Sequence, residues 1–159
     1  MNFVNVNEIF GPTIQGEGIH TGQQVGFVRL AGCNLSCSWC DTPYSWDWDR
    51  FDRSKEVTRL SVAEIAFQIN AMNVSRIIIT GGEPMLQQAA ITDIALMTGC
   101  AIDVETNGTI APKAGTALAV DMFCVSPKLK HGGNSEEERL KSSLLDYAAL
   151  AKDELAIFK

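Results

Sequence analysis

No stretch of this sequence comes near the roughly 18 consecutive apolar residues that a membrane span requires, and the amino terminus lacks the basic-then-apolar pattern of a leader. A cytoplasmic location with no membrane partner is the expectation. Positive charge is scarce too: 13 Lys and Arg stand against 19 Asp and Glu, for a formal charge of -6. The overall field opposes a phosphate backbone, so nucleic acid is not expected as a partner. Histidine is nearly missing, with only His20 and His131, and neither has an evident partner in sequence. No Ser-His-Asp set and no carboxylate pair calls for nucleophilic or acid–base chemistry. Five prolines, 46% hydrophobic and 20% charged residues exclude low complexity and disorder. A chain of 159 residues is the length of one domain with one core, and no internal repeat or linker divides it.

What is present is concentrated. Of five cysteines, Cys33, Cys37 and Cys40 lie within eight residues, an odd, tight set that suits a metal better than disulfides. Cys100 and Cys124 stand in apolar, strand-like runs and read as buried small hydrophobes. The clustered cysteines occupy a segment from Ala31 to about Lys55 that also holds all three tryptophans and sustains no period of either kind. Its length marks it as functional.

Around that loop the pattern alternates. Phe3 to Phe10 and Gln24 to Leu30 read as strands on either side of a glycine-rich loop, Gly11 to Gly22. Ser61 with Glu64 forms a capping box that opens a helix carrying Ile65, Phe67, Ile69 and Met72. Arg76 to Thr80 is a short buried strand ended by Gly81 and Gly82, and Pro84 starts a helical segment to Met97. Ala101 to Glu105 and Leu118 to Val125 are further strands with a turn at Asn107-Gly108. Ser135 to Lys152 reads as a helix, and Glu154 to Lys159 starts another strand. Strands alternating with helices predict an α/β fold with a parallel sheet, open or part of a barrel. In either, function collects at the carboxyl ends of strands, where the cysteine loop, Gly81-Gly82-Glu83, Thr106-Asn107-Gly108 and Ser126-Pro127-Lys128 all fall.

Three thiolates spaced C-x3-C-x2-C can ligate three irons of a cubane [4Fe-4S] cluster and leave the fourth open. The alternative is a structural zinc site, which prefers four ligands in paired spacing, and no second pair or neighbouring histidine completes one. The cysteine spacing is that of the radical S-adenosylmethionine superfamily, and Gly81-Gly82-Glu83-Pro84 resembles its glycine motif. The resemblance implies a partial (β/α) barrel and an open iron that chelates S-adenosylmethionine. It also implies an electron from the cluster that cleaves the cofactor to a 5′-deoxyadenosyl radical.

The resemblance narrows over residues 8 to about 130. Glu8-Ile9-Phe10, Ile14-Gln15-Gly16-Glu17-Gly18, Phe27 through Leu35 and Trp39-Cys40-Asp41-Thr42 are similar to segments of the 7-carboxy-7-deazaguanine synthase family. So are Thr80 through Pro84, Glu105 through Thr109 and Val125-Ser126-Pro127-Lys128. That family contracts 6-carboxy-5,6,7,8-tetrahydropterin to 7-carboxy-7-deazaguanine with loss of ammonia, on the route to queuosine-type deazapurines. Carried over residue by residue, Ile14, Gln15, Gly16, Arg29 and Thr80 would bind the pterin, Arg29 through its carboxylate. Trp39, Gly82, Ser126, Pro127 and Lys128 would meet S-adenosylmethionine, and Thr42 would bind Mg2+ beside Cys33, Cys37 and Cys40 on the cluster. Glu105 and Asn107 border the same pocket or simply form a strand-end turn. An external reductant and a homodimer are implied as well. Two rivals remain: an activase that places a glycyl radical on a partner enzyme, and a non-catalytic metal-binding module. The sequence reaches Ile157-Phe158-Lys159 as a strand begins, where the family continues for several tens of residues with a Gln-Pro motif. The expectation is a radical domain over residues 1–159, short at its carboxyl terminus, with weakened cofactor binding.

Overall fold

The computed structural model describes residues 3–159. Seven strands form one sheet: β1 (Phe3–Ile14), β2 (Gln24–Leu30), β3 (Thr58–Ser61), β4 (Arg76–Gly81), β5 (Ala101–Thr106), β6 (Met122–Val125) and β7 (Ala156–Phe158). Its order is β3-β1-β2-β4-β5-β6-β7. β1 is antiparallel to both β2 and β3, whereas β2, β4, β5, β6 and β7 run parallel. The sheet does not close, so the architecture is the partial barrel expected. Six helices connect or flank the strands: α1 (Arg53–Glu56), α2 (Val62–Ala71), α3 (Gln88–Thr98), α4 (Ala114–Ala119), α5 (Glu136–Arg139) and α6 (Ser143–Lys152).

Strand side chains alternate between the two faces. Val28, Ile77, Ile79, Ile102, Val104 and Phe123 join one buried cluster with Ile65 and Ile69 of α2, Ile91 and Ile94 of α3 and Tyr147 of α6. The opposite face carries Phe27, Arg29, Thr80 and Glu105, all of which border one cavity. The division is therefore apolar toward the helices and mixed toward the cavity. Parallel strands place their carboxyl ends together, and the loops that leave those ends supply the cavity's rim.

The start of α2 follows from four residues. Ser61 accepts a hydrogen bond from the Glu64 N–H (3.3 Å), and Glu64 Oε2 accepts from the Ser61 N–H (2.7 Å) and hydroxyl (2.6 Å). Replacing Ser61 by Ala should cost about 1 kcal/mol, which in a domain of this size lowers the thermal midpoint by about 3 °C. Calorimetry of the two proteins checks it, and an unchanged midpoint would show that tertiary packing alone holds this end.

Four sequence expectations change. Leu118 to Val125 is not one strand: Ala114–Ala119 is helical and only Met122–Val125 enters the sheet. Leu118 is 89% exposed, whereas Val120 and the β6 residues are buried, so the run's apolar cover begins only after the helix. The helix read from Ser135 to Lys152 is two: α5 opens on a capping box at Ser135 and Glu138 and ends where Leu140 turns extended, and α6 begins at Ser143. β1 continues through the glycine-rich segment to Ile14, with a register shift between Phe10 and Thr13, where Pro12 lacks a ladder donor. Cys100 precedes β5 and is only partly buried, its thiol donating to the Val74 carbonyl (3.4 Å); Cys124 is buried in β6 as expected.

Candidate functional site

A cavity of about 940 Å³ lies over the carboxyl ends of β2, β4, β5 and β6. Cys33, Cys37 and Cys40 all border it. Each thiol accepts one N–H hydrogen bond: Cys33 from the Leu35 N–H (3.4 Å), Cys37 from Asn134 Nδ2 (3.1 Å) and Cys40 from the Trp46 indole (3.3 Å). Burial pushes the Cys33 thiol up to about 11; the Leu35 N–H opposes this, while Glu83 and the other two thiols add to it. A metal that binds here must displace that proton. Among the described residues, no three Cys, His, Asp or Glu side chains are grouped to hold a single metal ion. Three soft donors that border one cavity suit a cluster, which takes its ligands on three irons.

The cysteine loop is held from four directions. Gly32 N–H donates to the Ser45 carbonyl (2.7 Å), and the Gly32 carbonyl accepts from the Glu83 N–H (2.8 Å). Asn34 donates to Thr109 Oγ1 (2.8 Å) and accepts from Asn107 Nδ2 (3.1 Å). Ser36 N–H donates to Asn134 Oδ1 (3.0 Å), and Ser38 N–H donates to the Gly132 carbonyl (2.9 Å).

Gly81 and Gly82 explain their own identity. Gly81 has φ +134°, and a Cβ on it would strike the backbone of Leu30; a Cβ on Gly82 would strike the Gly32 carbonyl. Glu83, next in line, is fully buried. Its Oε1 accepts from the Met85 N–H (2.9 Å) and the Thr106 hydroxyl (2.8 Å), and its Oε2 accepts from the Asn107 N–H (2.8 Å). Burial pushes this carboxyl up, and the three donors and Lys128 oppose it. One side chain thus ties the glycine turn to the end of β5.

Gln15, which borders the same cavity, is buried. Its Oε1 accepts from the Gly16 N–H (2.8 Å), and its Nε2 donates to Glu105 Oε1 (3.3 Å); Thr80 donates to the other Glu105 oxygen (2.9 Å). Arg29 Nε donates to Glu8 Oε1 (2.6 Å), and the Tyr44 hydroxyl donates to the same oxygen (3.1 Å). That bond uses one of the guanidinium's five donors. Thr42 also borders the cavity, its hydroxyl 3.7 Å from Cys40 Sγ. Ser126 and Lys128 line the β6 side, with Lys128 Nζ donating to Ser126 Oγ (3.0 Å).

Of the residues singled out in sequence, Gln15, Gly16, Arg29, Thr80, Gly82 and the three cysteines share this cavity with Trp39, Thr42, Ser126 and Lys128. Ile14 and Pro127 do not border it, and Ile14 is 60% exposed. Both histidines have partners that sequence did not reveal. His20 Nδ1 lies 2.5 Å from Asp103 Oδ2, with Arg76 on the carboxylate's other oxygen, so an ionic group pins the β1–β2 hairpin across the sheet. His131 stacks on Trp39 at 5.9 Å between ring centroids, and Lys128 Nζ lies 5.5 Å from the same indole ring. Trp46, Asn134 and Phe27 also escaped notice. None has a local signal, although three tryptophans in one loop could have prompted the question of what the second one donates to.

Residues 14–108 match the family described as a 4Fe-4S single cluster domain. The 7-carboxy-7-deazaguanine synthase of Bacillus cereus is 36% identical over 130 residues, covering 80% of this chain and 54% of the relative. That of Pyrobaculum aerophilum is 40% identical over 134 residues, covering 82% and 57%. The chain therefore spans just over half the length of these curated relatives. Among solved structures, QueE from Escherichia coli superposes with a TM-score of 0.69 at 29% identity, over 96% of this chain and 77% of the other. With its three cysteines inside the matched segment and around one cavity, the chain belongs to the 4Fe-4S single cluster domain family, where it is similar to the 7-carboxy-7-deazaguanine synthases.

Proposed function

We propose that this chain is the catalytic domain of a radical S-adenosylmethionine enzyme that converts 6-carboxy-5,6,7,8-tetrahydropterin to 7-carboxy-7-deazaguanine with loss of ammonia. The observation that carries the reading is that one cavity is lined both by the three thiols and by a polar set of Gln15, Thr80, Glu105 and Arg29, in which Gln15 and Thr80 both bond Glu105. The residues fit the cofactors. Cys33, Cys37 and Cys40 would hold the cluster, and the bound S-adenosylmethionine beside it would supply one-electron radical chemistry.

The chain's own groups then divide the work. Gly82 keeps backbone low at the glycine turn so that a ligand's amino group can approach it, and Ser126, Lys128 and Trp39 border the space for the rest of that ligand. Gln15 is fixed by its own Gly16 N–H and by Glu105, so it presents a set edge to a heterocycle that both donates and accepts. Thr80 braces the second Glu105 oxygen. Arg29 reaches the cavity with its guanidinium oriented through Nε by Glu8, which leaves its outer edge for a substrate carboxylate. Thr42, which borders the cavity, would offer its hydroxyl to Mg2+, with water and substrate oxygens completing the shell.

The test is anaerobic turnover of reconstituted, reduced protein with carboxytetrahydropterin, S-adenosylmethionine and Mg2+, read as deazaguanine product. Cleavage of the cofactor without that product would sink the substrate assignment. Within the same assay, Arg29→Ala should raise KM for the pterin about 10- to 100-fold, the worth of one charge-assisted pair. Arg29→Lys should recover little of it, because a point charge cannot replace the fork. A KM unchanged in Arg29→Ala would confine Arg29 to its pairing with Glu8.

A further inference from the structure

Each thiol of the candidate cluster site accepts one N–H, but the three donors differ in kind. The bond to Cys33 comes from the backbone two residues on, which any residue but proline supplies. The other two come from side chains that had to be chosen: Asn134 Nδ2 to Cys37 at 3.1 Å and Trp46 Nε1 to Cys40 at 3.3 Å. Asn134 is buried and its amide orientation is set by its other end, since Oδ1 accepts the Ser36 N–H at 3.0 Å and so turns Nδ2 toward the sulfur. The loop that carries it is itself anchored, with Gly132 accepting from Ser38 at 2.9 Å. Trp46 sits at the end of a single turn of 3-10 helix, Pro43–Ser45, whose Ser45 hydroxyl bonds the Thr42 carbonyl at 2.8 Å. Both donors are held from behind.

We infer that Asn134 and Trp46 are positioning residues that raise the reduction potential of the cluster by donating hydrogen bonds to the Cys37 and Cys40 thiolates. The inference rests on the reading that these thiols hold a four-iron cluster. Uptake of one electron from an external one-electron donor makes no bond and breaks none; it adds negative charge, part of which falls on the ligand sulfurs. An N–H aimed at a sulfur stabilises the more negative state more than the oxidised one, so its loss moves the potential down. The consequence for the enzyme is easier loading of the electron that the radical chemistry needs.

The experiment uses the full chain, reconstituted anaerobically, as wild type, Trp46→Phe, Asn134→Leu and the double variant. Trp46→Phe keeps an aromatic ring and removes the donor; Asn134→Leu keeps the volume, without adding charge. Iron and acid-labile sulfide are counted first, and the midpoint potential is then read from a mediated titration with dithionite, followed by the electron paramagnetic resonance of the reduced cluster. Wild-type cluster content with a potential shifted lower in each single variant, and lower again in the double, is the expected result. Full clusters at the wild-type potential in both single variants would overturn it. Should one variant fail to take up a cluster, the other decides. A side chain that only clamps the loop would lower cluster content and leave the potential of the remaining clusters where it was. A wild-type chain that takes up no cluster would instead remove the assignment of the thiols on which the inference stands.

Discussion

Replacing Cys37 by Ala is expected to leave a folded protein that carries no cluster and makes no deazaguanine. Cys37 lies on the loop surface, outside the buried cluster of strand and helix side chains, so its loss removes little packing. Loss of a mere hydrogen-bonding partner of a metal ligand costs about 10- to 100-fold in affinity, and loss of one ligand of three costs more. Iron should fall from about four per chain to background, with far-ultraviolet circular dichroism unchanged. Cys100→Ala is the control: its thiol bonds the Val74 carbonyl before β5, away from the cavity, and cluster content should be that of the wild type. A full cluster in Cys37→Ala would defeat the three-ligand assignment.

Gly82→Ala should produce the second large effect, through space alone. The added methyl would fall on the Gly32 carbonyl oxygen, 2.6 Å from that carbonyl's carbon and 3.0 Å from the Cys33 nitrogen. These are backbone atoms, with no flexible side-chain end to swing aside. The Gly32 carbonyl is also the acceptor of the Glu83 N–H, so the displacement breaks that bond and moves the first cluster ligand. Overpacking of this kind costs about 1–3 kcal/mol, and a displacement of about 1 Å in a reacting site costs about 100-fold in rate. Turnover should therefore drop about 100-fold with the thermal midpoint lowered. Wild-type turnover in Gly82→Ala would show that the glycine turn yields freely.

Features written in neighbouring residues were legible in sequence. The capping box at Ser61 and Glu64 and the strand at Ile77-Ile78-Ile79 each show in a few neighbouring residues, and each stands as read. What escaped depends on partners far along the chain. Asn134 meets Cys37 across 97 positions, Gln15 meets Glu105 across 90, and His20 meets Asp103 across 83. No local period encodes such a meeting. The misread segment around Leu118 failed for a different reason: Ala, Leu and Val are compatible with helix and strand alike, and only the sheet's register decides between them. Arg29 shows the middle case: its place at the ligand cavity was expected from the resemblance, but its pairing with Glu8, 21 positions away, was not.

The clamp on the cysteine loop also sets an order of events during synthesis. Cys33, Cys37 and Cys40 are made early, but Gly132 and Asn134, which hold Ser36, Ser38 and Cys37 in place, follow nearly a hundred residues later. At about 5–20 residues per second, the thiols wait roughly 5–20 s before their cradle exists. A cluster delivered to the nascent chain in that interval would meet a loose tripod rather than a formed socket. The socket these contacts form is thus complete only once β6 and the loop after it have been made.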